Sequence, residues 1–290
     1  MRSTNPALND RVFAKEMPAE TRAGWAAPGG VGAPPWVPQA PDEVSPWPPP
    51  APVDGYRAMR MGGVVSASAV MLALLLTAGW FGWQAVKVVT GIDARGETVA
   101  VSTAIPPWVI GAMVVGFVLA LVTIFVPRIA RFTAPLYALA EGVLLGAVSH
   151  LYEVRFDGIV VQAVGLTLGV FATMLVLYAT RVIKVTRKFL VGVMAATGAV
   201  ALVYLASFIA RLFGAKIGFI HDTGPVGIGF SLVVVVIAAL NLVLDFDFIE
   251  RGVAMRAPRH MEWYAAFGLF VTLIWLYLEL LRLLGKLRSR

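Results

Sequence analysis

Seven apolar runs limit the fold more than any other feature: residues 62–86, 108–126, 134–152, 158–178, 189–213, 226–248 and 264–284. A helix needs about 20 such residues to cross the hydrocarbon layer. In lipid the backbone must satisfy its own polar groups, which selects helices for runs of this kind. Composition agrees, because 59% of the residues are hydrophobic and only 14% are charged, against about 25% charged in soluble domains. The reading is an all-α integral membrane protein, a seven-transmembrane-helix bundle over residues 57–290. The connections read as short, so sequence neighbours should pack antiparallel. Gly142-x-x-x-Gly146 and Gly165-x-x-x-Gly169 are spaced to let helix backbones approach closely.

Residues 1–56 are of another kind. The stretch GAPPWVPQAPDEVSPWPPPAPVDG is rich in proline, which removes backbone donors and fixes φ, so a disordered cytoplasmic tail is expected. The stretch has no apolar core of the sort a signal peptide carries. Lys and Arg cluster beside the spans on the tail side: Arg57 and Arg60, Arg128 and Arg131, Arg181 to Lys188, and Arg251 to Arg259. The opposite connections hold Lys87, Arg95, Arg155, Arg211 and Lys216. That bias places the tail in the cytoplasm of a multi-pass protein of the cell membrane. One cluster dissents: Arg282, Lys286, Arg288 and Arg290 follow the seventh run on the outer side. The net charge of +7 is thus an orientation signal, and no basic face interleaved with aromatics points to nucleic acid. Three histidines and no cysteine argue against a structural zinc site, and no cofactor is expected.

Ionisable residues within the runs are the candidate functional residues, because charge in a bilayer is expensive. Glu141 lies in the third run with no basic residue one turn away, so it should face other helices or water. Asp245 and Asp247 lie near the cytoplasmic end of the sixth run, within its last turn or two. Two residues apart on a helix is about 200°, so they cannot share a face. Asp245 sits one turn from Asn241 and is assigned the buried role. Asp247, four residues before Arg251, suits an ion pair at the interface. Glu279 lies three residues before Arg282, and the pair is expected at the outer interface with access to water. His150 and Glu153 have a two-ligand spacing but no partner motif. No G-x-S-x-G, Walker loop or H-E-x-x-H occurs, so an enzyme is not expected.

The stretches AEGVLLGAVSHLYE and GIVVQAVGLTLGVFATMLVLY resemble the third and fourth spans of the Bax inhibitor-1/YccA family. NLVLDFDFIERG resembles the family's sixth span, and AFGLFVTLIWLYLELLRLLG its last, centrally packed helix. The opening RSTNPAL is similar to actinobacterial members. The resemblance covers about residues 57–285 and implies a pH-sensitive calcium or cation leak. In that family an acid from the sixth helix and one from the seventh share a proton or hydrogen bond that locks the pore. Asp245, or else Asp247, takes the sixth-helix place. The seventh-helix place falls on Thr272, which can hydrogen-bond a carboxyl but carries no charge. Glu141 and Asn241 complete the expected pore set. Some bacterial relatives instead imply a non-conducting regulator that binds another membrane protein, such as a quality-control protease, with the tail as contact element.

Overall fold

The computed structural model describes residues 58–92, 98–214 and 224–289. By its contacts the chain divides into Met1–Asp54 and Gly55–Arg290. The expected tail therefore lies outside the described residues.

Seven helices are long and apolar enough to cross a membrane. They are α1 (Met61–Ala85), α2 (Pro107–Phe125), α3 (Ala130–Arg155, after a 3-10 turn at Pro127–Ile129), α4 (Ile159–Ala179), α5 (Arg187–Leu212), α6 (Pro225–Ala254) and α7 (Met261–Arg288). Their starts follow local chemistry. Pro107 and Pro225 open α2 and α6, where a missing N–H is harmless and φ is already helical. The Thr186 hydroxyl accepts the Phe189 N–H at the head of α5. Glu153 accepts the N–H groups of Gly158 and Val160 at 2.7 and 3.0 Å, placing an anion at the positive end of α4.

The connection between α1 and α2 is not a short loop. It holds an antiparallel pair, β1 (Lys87–Ile92) with β2 (Thr98–Ala104), in which Lys87 faces Ala104 and Ile92 faces Thr98. KVVTGI and TVAVSTA are rich in β-branched residues, which suit a pleated strand.

Large apolar side chains cover the outside of the bundle, among them Trp80, Phe117 and Phe208, each more than 60% exposed. Water would not tolerate so much continuous apolar surface, whereas acyl chains match it. The centre belongs to α7, which packs against α6, α1, α4 and α3. Half of its most apolar stretch is buried, against 11% for α5.

The tightest helix contact joins α1 to α3. A Cβ on Gly146 would stand 1.9 Å from the Gly79 carbonyl oxygen, and one on Gly142 would stand 2.5 Å from that of Leu75. Here the spacing does bring backbones together. Gly165 and Gly169 do not act this way, since both face open space on α4. Below α1, the Met59 N–H donates to the Ala257 carbonyl at 2.7 Å, and the Arg60 N–H donates to the buried Glu262 carboxylate at 3.0 Å. These bonds tie the entry of the chain to the corner between α6 and α7.

Candidate functional site at the seam between α6 and α7

Helix α6 runs on to Ala254, so Asp245 is not in its last turn or two. Nine residues separate it from the helix end, or about 14 Å at 1.5 Å per residue. The segment FIERGVA looks interfacial by charge, yet the helix continues through it because Ile249 and Gly252 are still buried. In the case of Gly252, the neighbour is Met59.

Asp245 points at α7. A Cβ on Gly268 would lie 3.8 Å from its Oδ1, and the Thr272 hydroxyl sits beside the carboxylate. Thr272 is buried and also donates to the Gly268 carbonyl across a long 3.3 Å bond. Asp245 Oδ2 is closed off from solvent and accepts no hydrogen bond among the described residues. A half-buried acid whose closed-off oxygen is unsatisfied is a high-energy arrangement that packing alone does not call for.

The other expected pore residues go elsewhere. The Asn241 amide donates to Thr197 of α5 at 2.8 Å and to the Ile237 carbonyl at 2.9 Å, so it bridges α6 to α5 and does not serve Asp245. Asp247 pairs with Arg251 at 2.8 Å. Beyond it, Glu250 takes the Tyr178 hydroxyl and the Arg181 guanidinium, fastening the end of α4 to α6. Glu141 faces α2, with its Oε1 3.6 Å from where a Gly116 Cβ would stand. It and Asp245 thus face different helices.

Glu279 requires a correction. It is 1% exposed and does not reach water at the outer interface. Its Oε2 accepts the Arg282 guanidinium and the Tyr204 hydroxyl, both at 3.0 Å, while Arg282 also donates to Tyr204 at 2.6 Å. Glu279 Oε1 has no hydrogen-bond partner among the described residues. About two turns beyond Glu279, the buried Lys286 ammonium donates to the Gly227 carbonyl at 2.8 Å and to Ser231 at 2.9 Å. Two of the dissenting outer cations are therefore drawn into the bundle. Reasoning from sequence passed over Tyr204, Ser231 and Thr197, all single polar residues in apolar runs. Lys286 was counted only as a terminal charge.

His150 and Glu153 do not converge. The His150 ring stacks on Trp83 with centroids 4.7 Å apart and bonds the Trp83 carbonyl. No group of three or more His, Cys, Asp or Glu side chains suited to a metal occurs among the described residues.

Comparison with known proteins adds the family. The profile of the family described as Bax inhibitor 1 like matches residues 5–289. No match was found among curated proteins. The match covers nearly the whole chain, and the bundle it spans has seven helices with the last at the centre: this membrane protein belongs to the Bax inhibitor 1 like family.

Proposed function

We propose that the protein is a non-enzymatic, pH-sensitive cation leak, with calcium as the cation the family resemblance implies, and that the seam between Asp245 and Thr272 is its gate. The observation that carries this reading is the half-buried Asp245, aimed at α7 with its Oδ2 closed off from solvent and unpartnered among the described residues. When neutral, the carboxyl can stay packed between α6 and α7. Once ionised, it has one hydroxyl neighbour and a strong demand for water or a cation. Satisfying that demand means parting α6 from α7. Thr272 carries no charge, so the switch is a single acid and not a pair sharing a proton. Calcium efflux from proteoliposomes should rise with pH. Asp245→Asn, which stays neutral, should leak little at every pH, whereas Asp247→Asn should follow the parent. An Asp245→Asn protein that conducts like the parent would remove the gate from this residue.

A second reading is a regulator that captures another membrane protein through residues 1–56, with these on the cytoplasmic side. The bond from Met59 to Ala257 favours it, because anything pulling on the entry of the chain would act on the α6–α7 corner. Under this reading, deletion of residues 1–56 abolishes partner capture and leaves the bundle folded. Unchanged capture after the deletion counts against it.

A further inference from the structure

A cavity of about 600 Å³ lies at the other end of α7 from the proposed gate, where α7 meets the end of α3. Its wall carries Arg155, Arg282 and Lys286, with Tyr152, Phe156 and Ser289 between them. No carboxylate lines it among the described residues. Glu153 caps α4, and Glu279 holds Arg282 and Tyr204. Arg155 is held over the Phe156 ring at 5.7 Å. Arg282 keeps 31% of its side chain accessible. Tyr152 packs against Gly285, where a Cβ would stand 2.8 Å from the Tyr152 ring, so the floor of the cavity depends on that glycine.

The guanidinium groups of Arg155 and Arg282, with the charge of the Lys286 ammonium held behind them by Gly227 and Ser231, match the oxygens of a phosphate, which arginine binds through paired hydrogen bonds. The place in the fold narrows the source. The last turns of α3 and α7 lie where a spanning helix leaves the hydrocarbon, at the depth of lipid headgroups, whose phosphates are within reach of cationic side chains at that depth. Leu151 and Phe156 in the wall give an acyl chain an apolar edge to follow. We propose that this cavity holds a phosphate-bearing anion, with the headgroup of an anionic phospholipid as its natural source.

The test uses the full-length purified protein and two probes, phosphatidylglycerol and inorganic phosphate. Native mass spectrometry would count retained phosphatidylglycerol after exchange against an excess of phosphatidylcholine. Thermal unfolding in detergent would report stabilisation by either probe. Arg155 is exposed, so Arg155→Gln should fold, and Arg211→Gln removes an exposed charge from the end of α5 as a control. The expected result is phosphatidylglycerol retention that falls at least fivefold in Arg155→Gln and less than twofold in Arg211→Gln. Stabilisation by inorganic phosphate alone, again lost in Arg155→Gln, would support the cavity with a soluble anion as its occupant. Equal losses in both variants would reduce the effect to diffuse surface charge and overturn the proposal. Failure of both probes to bind would overturn it as well.

Discussion

Glu279 and Asp245 are both acids in an apolar bundle, and their surroundings set them to different tasks. Glu279 has a guanidinium and a phenol on one oxygen, so its charge is compensated and its role is to hold α5 against α7. Removing one partner of a buried pair is costly because the other charge is left stranded, by roughly 3 kcal/mol. Arg282→Leu should therefore lower the stability of the protein in denaturant titration by about that amount. Glu279→Gln, which keeps an acceptor, should lose less, and adding Glu279→Gln to Arg282→Leu should restore part of the loss. An Arg282→Leu protein as stable as the parent would show that the pair contributes nothing. Asp245 has no such cation: its neighbours are Gly268 and the Thr272 hydroxyl. Thr272→Val removes the hydroxyl that favours the ionised carboxyl, so less of it ionises at neutral pH and calcium efflux there should fall. Efflux unchanged in Thr272→Val would take Thr272 out of the gate.

At the scale of the element, α1 and α3 depend on absent side chains. Gly146→Leu would drive a side chain into the backbone of Gly79, and overpacking of this kind costs about 3 kcal/mol or more. Gly165→Leu points into open space and should change stability by less than about 0.5 kcal/mol. Equal melting temperatures for the two variants would refute the α1–α3 contact. The same pair shows what sequence can and cannot say. Both glycine pairs have identical spacing, and only the fold decides which one meets a neighbour. The spans themselves were legible, because length and apolarity are local signals that the bilayer enforces. The hairpin between α1 and α2 was not, since its β-branched strands stand directly against the ends of two apolar runs and read as connection. The length of α6 was hidden by the charges of FIERGVA, and the burial of Glu279 by an Arg at the spacing of an ordinary interfacial pair. Its second partner, Tyr204, lies 75 residues away, beyond any local pattern.

For the whole molecule, the central claim is that the chain crosses the bilayer seven times and keeps Asp245 and Glu279 inside the bundle at α7. Arg282 and Lys286, expected on the outer side, oppose that count by charge alone, yet both bond within the bundle, to Glu279, Tyr204, Gly227 and Ser231. Their weight as orientation signals falls accordingly. An odd number of crossings puts the two ends of the chain on opposite faces. The sequence contains no cysteine, so a single introduced thiol is the sole target of a maleimide. Ser45→Cys reports the N-terminal side, and the exposed Ser289→Cys reports the end of α7. With a membrane-impermeant maleimide on intact cells, the account predicts labelling at 289 without lysis and at 45 only after lysis. Labelling of both positions from the same side would contradict it.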